Sequence, residues 1–262
     1  LASFVIGIFL NGKDSNHKSA VTLPAALGGV FVGFPYHALH HVFPDRYFGS
    51  VTTLFDRLFA TGCQLAGRKV VLTGATGAFG APLKILLERE GAIVAPLAHG
   101  DFVRADDALR DAHILVLAHG SKETDAMFAN CDASVDLIER FLAHAAFRLV
   151  PPEVWAVGSE IEAHPAFGAV AYAASKRAFA RHAHGYFNDS RLLYRHIVPS
   201  AFTSPMGKGL ISGKTAAAWA LALIVRGCRY VPVTYTGIAL INYLKFAVAF
   251  PRRFKTARTF PP

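Results

Sequence analysis

From Lys69 onward the chain alternates. Apolar runs at 70–72, 92–97, 113–118 ("HILVLA"), 153–157 ("EVWAV") and 192–198 ("LLYRHIV") are each followed by a longer segment with helical periodicity. Short apolar runs separated by helices predict a parallel sheet, because parallel strands need helical crossovers that bury both faces of the sheet. The expected fold class is therefore α/β, a doubly wound parallel sheet with helices on both faces. A chain of 262 residues that is 53% hydrophobic and only 17% charged can bury a large core.

The first strand runs into "TGATGAFG", residues 73–80, with Pro82 in the first turn of the following helix, where its missing N–H has no helical partner anyway. The glycines are spaced G-x-x-G-x-x-G. Gly74 would make the tight turn, Gly77 would let the backbone approach a pyrophosphate, and Gly80 would let helix and strand pack closely, with phosphates over the helix N-terminus. Further along, "SEIEAHPAFGAVAYAASK" (159–176) places Tyr172 and Lys176 four residues apart on one helical face. A neighbouring ammonium stabilises a phenolate, so Lys176 would lower the Tyr172 pKa and fit it for proton exchange with a substrate oxygen. Ser159, just after "EVWAVG", would stand at the C-terminal edge of the sheet, where open α/β folds bind ligands, and could bond the same oxygen.

Together these residues resemble the short-chain dehydrogenase/reductase family, with its Rossmann-like fold, over residues 67–262. The resemblance implies a catalytic set of Tyr172, Lys176, Ser159 and Asn130, the last from "MFANCDASVDLIERFL". It implies an NAD(P)(H) cofactor held by Thr73, Gly74, Thr76, Gly77, Ala78, Phe79, Gly80, His99, Ala118, His119, Gly120, Tyr172, Lys176, Pro199 and Thr203. There are departures. "LAHG" (117–120) puts Ala118 or His119 where the family has Asn, implying a looser pocket edge. Ser200 replaces a Gly, and the short stretch before residue 113 implies a reduced or missing strand or helix. After the second strand, "APLAHG" offers no carboxylate for a ribose 2′-hydroxyl, which together with the positive net charge tilts the expectation to NADP(H).

Residues 1–66 read differently. Ser19 to Pro44 carry no charged side chain, a stretch long enough to cross a bilayer yet interrupted by Pro and Gly, and "LASFVIGIFL" lacks the basic flank of a signal peptide. His37, His40 and His41 fall at i, i+3, i+4, and imidazole is a good iron ligand. With Pro44, Phe48-Gly49 and Asp56 to Phe59 behind them, they resemble the last histidine box of the fatty acid hydroxylase/sterol desaturase superfamily, whose further boxes would lie upstream. The resemblance implies that residues 1–66 are the mainly helical, membrane-associated tail of such a domain without a working metal site, iron entering only in a longer protein. The composite resembles bacterial bifunctional sterol desaturase/short-chain dehydrogenase proteins. The alternative function is an iron-dependent membrane lipid hydroxylase with an accessory reductase-like domain.

A net charge of +9 and a mean hydropathy of +0.34 point to phosphate-bearing cofactors or acidic lipid surfaces. No basic block interleaved with aromatics suggests nucleic acid. Three scattered cysteines suit a reducing cytosolic face. "TAAAWALALIVRG" reads as a sheet-covering helix, Trp155, Trp219, Met127 and Met206 as core residues, and His144, His182 and His184 as exposed helix positions. "GIALINYLKFAVAFPRRFK" (237–255), an apolar helix running into cations, suits an anionic bilayer interface and equally a substrate lid or homodimer helix. The expected activity is alcohol–carbonyl interconversion on an apolar, lipid-like substrate at the cytoplasmic membrane face.

Overall fold

The computed structural model describes residues 32, 34–49, 52–123, 125–146, 148–165 and 168–248. "LASFVIGIFL", His17, most of the uncharged stretch and the basic run after residue 250 lie outside them. Two helices come first, α1 (Phe34–Val42) and α2 (Leu54–Phe59). Then follow β1 (Lys69–Thr73), α3 (Gly80–Arg89), β2 (Ile93–Leu97), α4 (Ala105–Arg110), β3 (Ile114–Leu117), α5 (Ala133–Ala145), β4 (Glu153–Val157), α6 (Val170–Phe187) and β5 (Leu193–Pro199). A small ribbon of β6 (Phe202–Thr203) and β7 (Ile211–Ser212) precedes α7 (Gly213–Val225), β8 (Tyr230–Val233) and α8 (Ile238–Val248).

Six strands form one sheet in the order β2-β1-β3-β4-β5-β8, every pair parallel. The register follows from the period of two along each strand. Val70 and Leu72, with Ile114, Val116 and Trp155, face α3 and α7 through Leu83, Leu87, Ala220 and Ile224. Val71, Leu115, Leu117, Val154 and Ala156 face the opposite layer, packing on Leu109, Leu137, Phe141 and Phe179. Only β2 lies beyond β1 on that side, so the short stretch before β3 supplies one strand and the six-residue α4. The strand order reverses between β1 and β3, opening a crevice at their C-terminal ends.

The N-terminal segment is docked on the opposite end of the sheet. Tyr36, Leu39 and Tyr47 pack against Leu193. Asp56 is fully buried and ties its own loop together, accepting from Phe48 N (2.9 Å), Gly49 N (2.8 Å) and Thr61 Oγ1 (2.5 Å). Beneath it, Glu153 is paired with both Arg68 and Arg195, and accepts from Tyr47 Oη at 2.8 Å. Burial works to raise the Glu153 pKa, but the two guanidinium groups and these bonds hold it below the ordinary carboxylate value. Arg195 also donates to Gly62 O at 2.8 Å. Gly67, with a positive φ of 75°, turns the chain into β1. No helix among the described residues is long and apolar enough to cross a membrane.

Several expected positions are corrected. Trp155 is buried, but Trp219, Met127 and Met206 are exposed at helix and loop surfaces. His144 is half-buried and 3.0 Å from Asp106, and His182 and His184 are likewise half-buried rather than exposed.

Candidate active site

The Gly-rich turn lies where the crevice opens. Gly74 has a φ of 64°, and a Cβ there would meet Ala118 O at 2.6 Å, so β1 and the β3 end touch backbone to backbone at that point. A Cβ on Gly80 would strike the Gly74 carbonyl, which lets α3 start directly over the turn. Gly77 is exposed, its Cβ position facing open space except for Gly74 O at 3.2 Å. Phe79 caps the ten-residue α3 without a side-chain bond, while Ala81 N donates to Gly77 O at 2.9 Å, Leu83 N donates to Phe79 O at 3.2 Å and Pro82 has no N–H to offer. The start of α7 closes the other side, since a Cβ on Gly213 would collide with Ala78 O. A bare backbone cradle over an uncapped helix start fits the pyrophosphate of a dinucleotide.

Thr73 locks the two strands that flank the crevice, donating to Val116 O (3.2 Å) and accepting from Ala118 N (3.1 Å). His119 stands 2.7 Å from the same hydroxyl through Nδ1 and 3.3 Å from Ser134 Oγ through Nε2, with its ring edge-on to Phe102 at 5.0 Å. Burial, then the Lys176 and His99 charges, push its pKa down to about 3, so the ring is neutral. The expected loose edge is therefore filled: the imidazole bridges β1, β3 and α5 where an amide was anticipated. His99 opens the turn after β2, exposed, with its ring 5.1 Å from Phe102. Asp101 lies two residues on, also exposed, and is the carboxylate that the motif reading did not reach.

At the end of β4, Ser159 caps a short 3-10 turn, its Oγ accepting from Ile161 N at 3.3 Å and its own amide donating to Glu162 Oε1 at 2.9 Å. The Ser159 side chain is near enough to the Tyr172 hydroxyl to act on its pKa. Tyr172 is half-buried in the first turn of α6, and Lys176, one turn on, is buried with its Nζ donating to Val157 O at 2.9 Å and lying 6.0 Å from the Tyr172 ring centre.

The electrostatics differ from the expectation. Burial raises the Tyr172 pKa above 10.0, the Ser159 side chain opposes that, and the Glu162 charge adds to it. The Lys176 amine donates to the Val157 carbonyl and lies 6.0 Å from the centre of the Tyr172 ring. Lys176 shifts as well, burial pulling it down to about 8 against the Glu162 and Cys131 charges.

Asn130 sits on a single π-helical turn, Phe128–Asp132, that leads into α5. Its amide accepts from Ser121 N (3.1 Å), donates to Ser121 O (2.7 Å) and donates to Ser175 Oγ (3.0 Å), which donates to Tyr172 O (2.8 Å). Asn130 thus clamps the 120–121 loop to the helix that carries Tyr172. Pro199 ends β5 at the same edge, while Thr203 is exposed and donates to Gly209 O at 3.0 Å.

Residues without a motif signal complete the site. Lys122 Nζ lies 5.4 Å over the Tyr172 ring and donates to Met206 O at 2.5 Å, bridging the loops after β3 and β6 across the mouth. Behind Ser159, the two Glu162 oxygens hold the Ser159 amide on one side and His196 Nε2 (3.1 Å) and Asn242 Nδ2 (3.3 Å) on the other. Glu160 accepts from Ala239 N at 3.0 Å and from Thr236 Oγ1 at 2.9 Å. A cavity of about 480 Å³ lies away from all of these, between Arg46, Leu65, Leu86, Leu221 and Val225. The His37, His40 and His41 rings are 4.8 to 6.1 Å apart, and His40 Nδ1 is 2.8 Å from Arg46 O. Among the described residues no group of His, Cys, Asp and Glu is arranged to hold a metal ion, so no step is derived through iron.

No protein-family model matches the chain. A curated relative, a monoglucosyldiacylglycerol epimerase from Synechocystis, is 28% identical over 251 residues, covering 82% of this chain; the chain spans 60% of that protein's length. A short-chain dehydrogenase from Burkholderia cenocepacia in complex with NADP superposes with a TM-score of 0.59 at 18% identity, over 70% of this chain and 94% of that one. The bulky-bulky ketone specific alcohol dehydrogenase of Comamonas testosteroni gives 0.56 at 13% identity, over 74% and 97%. A short-chain dehydrogenase from Sphingobium yanoikuyae in complex with NADPH gives 0.52 at 17%, over 68% and 92%. Both the curated relative and these structures are enzymes, and the fold of this chain is the Rossmann-like fold of the NAD(P)-dependent short-chain dehydrogenases/reductases.

Proposed function

We propose that the protein interconverts an alcohol and a carbonyl on a lipid-like substrate, with NAD(P)(H) as cofactor and Tyr172, Lys176 and Ser159 as the proton-handling set. The observation that carries this reading is the buried Lys176 one helical turn from Tyr172, with its Nζ on Val157 O just before Ser159 and 3.9 Å from the Cβ position of Gly120, on the loop that follows the Ala118 backbone against which Gly74 packs. A bound nicotinamide would supply or accept the hydride. The Gly74–Gly80 backbone and the start of α3 would hold its pyrophosphate, with Thr203 at the opposite lip.

In the reductive direction the Ser159 hydroxyl donates to the substrate oxygen and orients it, and the Tyr172 hydroxyl passes its proton to that oxygen as the carbon gains the hydride. A phenol kept protonated by burial suits that donation. Lys176, still mostly an ammonium at neutral pH, offers charge to the phenolate left behind once its amine swings from Val157 O. Asn130 positions rather than reacts, keeping the 120–121 loop against α6.

A second reading is favoured by the Synechocystis relative. An epimerase can oxidise a sugar carbinol and reduce the carbonyl from its other face, with the same Tyr172 proton moving out and back and no net cofactor turnover. Its substrate here would be a diacylglycerol glycoside, which joins the lipid expectation to the site chemistry. The test is to incubate the protein and its Tyr172→Phe variant with monoglucosyldiacylglycerol and each oxidised cofactor. Net NAD(P)H formation supports a dehydrogenase; the epimeric hexose without net NAD(P)H supports an epimerase. A Tyr172→Phe variant as active as the parent sinks both readings.

A further inference from the structure

Large apolar side chains left in water concentrate on two helices. On α2, Leu54 (63% exposed), Phe55, Leu58 (72%) and Phe59 (62%) form two i, i+4 pairs on the outer face, with the Phe55 and Phe59 rings 4.5 Å apart and Phe48 edge-on to Phe55 at 5.5 Å. On α8, Leu240, Ile241 and Leu244 (60%) face outward, while Ala239 and Asn242 face in. The helices flank the same turn before β8: the Cβ position of Gly227 lies 3.5 Å from Asp56 Cβ of α2, and Tyr243 of α8 packs on Tyr230 with ring centres 5.0 Å apart. Scattered exposed apolar residues need no explanation, but a clustered apolar face on a folded chain does.

Charge decides what covers it. Residues 190–262 hold 11 of the 27 Lys and Arg and none of the 18 Asp and Glu, so the other 189 residues carry a net −2 and the whole excess of the chain belongs to this last segment. Arg57 and Arg226 are exposed beside the apolar face, and Asp56 is buried with its oxygens taken by Phe48, Gly49 and Thr61. The sequence after Val248 adds Arg252, Arg253, Lys255 and Arg258. A second copy would bring this cationic segment against itself; an anionic surface is attracted to it.

We propose that the α2–α8 face docks on an anionic lipid bilayer, with Leu54, Phe55, Leu58, Phe59, Leu240 and Leu244 entering the interface and the cations meeting the headgroups. In this docking α2 and α8 lie along the bilayer surface. Because α8 begins at Glu160, one residue from Ser159, docking sets the mouth of the catalytic crevice beside the bilayer. The docking stands apart from the redox reading, since it is measured without substrate or cofactor.

The test is flotation of the full 262-residue chain with phosphatidylglycerol vesicles and with phosphatidylcholine vesicles. The chain is expected to float with the first and not the second, and to be released by salt as screening shortens to about 3 Å at 1 M. The triple variants Leu54→Ser/Leu58→Ser/Phe59→Ser and Leu240→Ser/Ile241→Ser/Leu244→Ser should each lose uptake by about tenfold or more, while Ile85→Ser, an exposed position on α3, should not. Circular dichroism checks that each variant is folded, and Leu58→Glu alone, at the most exposed position of the patch, replaces a triple that is not. Absence of uptake by the parent, uptake unchanged in the folded variants, or a parent dimer that the variants split without any vesicle binding would overturn the proposal.

Discussion

The two ends of the sheet each bury charge, and they do so in opposite ways. At the N-terminal ends of the strands Glu153 is met by Arg68, Arg195 and Tyr47, and the net result is a carboxylate held below its ordinary pKa despite full burial. At the C-terminal ends Lys176 is just as deeply placed but has one carbonyl partner, and its pKa falls to about 8. Saturating a buried charge with partners fixes it in one protonation state and one position. Leaving it short of partners places its proton within reach of neutral pH, which is what proton-transfer chemistry needs. One end of the molecule is built to hold a charge, and the other, on the function proposed above, to react.

Substitutions at either end test this division. The largest effect is expected from Tyr172→Phe, which should lower turnover by roughly 10²–10⁴-fold while NADPH binding, followed by fluorescence titration, stays the same. At the holding end, Glu153→Gln leaves two buried guanidinium groups short of a partner and should cost roughly 3–5 kcal/mol of stability in urea unfolding; a loss below 1 kcal/mol would erase the contrast. For Lys176 the sign is the reverse. Its folded pKa lies below the unfolded value of 10.5, so the buried ammonium destabilises the fold below about pH 8 and that cost fades as pH rises toward 10.5. Lys176→Met should therefore be more stable than the parent near pH 7, by about 1–3 kcal/mol, with the gain disappearing in alkaline buffer. In the parent the reductive kcat/KM should fall about tenfold per pH unit above about 8. The smallest effect is expected from Thr73→Val, which removes the hydroxyl shared by Val116, Ala118 and His119 and should cost about 1 kcal/mol.

What was legible in the sequence was whatever depends on neighbours along the chain. Buried strands leave uninterrupted apolar runs, and the turn between β1 and α3 leaves its glycines in order, so five strands of the sheet and the crevice could be read directly, while the four-residue edge strand β8, interrupted by Pro232, was not. The spacing of Tyr172 and Lys176 marks one helical face for the same reason. Partners brought from far away left no such mark. His119 reaches Thr73 across 46 positions and Lys122 reaches Met206 across 84, so neither the filled pocket edge nor the bridge over Tyr172 has a local signature. The direction of the Tyr172 shift was misjudged because helical spacing says that an amine can approach a phenol, not that a backbone carbonyl will claim it first. Trp219 and the two methionines failed in the opposite sense: residue type suggested burial, and only the packing of α7 and the loops shows them facing out.

The outermost helix carries more than its own surface. Its first amides and Asn242 are the partners of Glu160 and Glu162, and Glu162 in turn grips the backbone of Ser159. A chain cut after Val233 would keep Ser159, Tyr172 and Lys176 in sequence, yet leave two carboxylates under the serine with part of their bonding gone. On the proposed function, the reacting end of this molecule is finished only when α8 has been laid down.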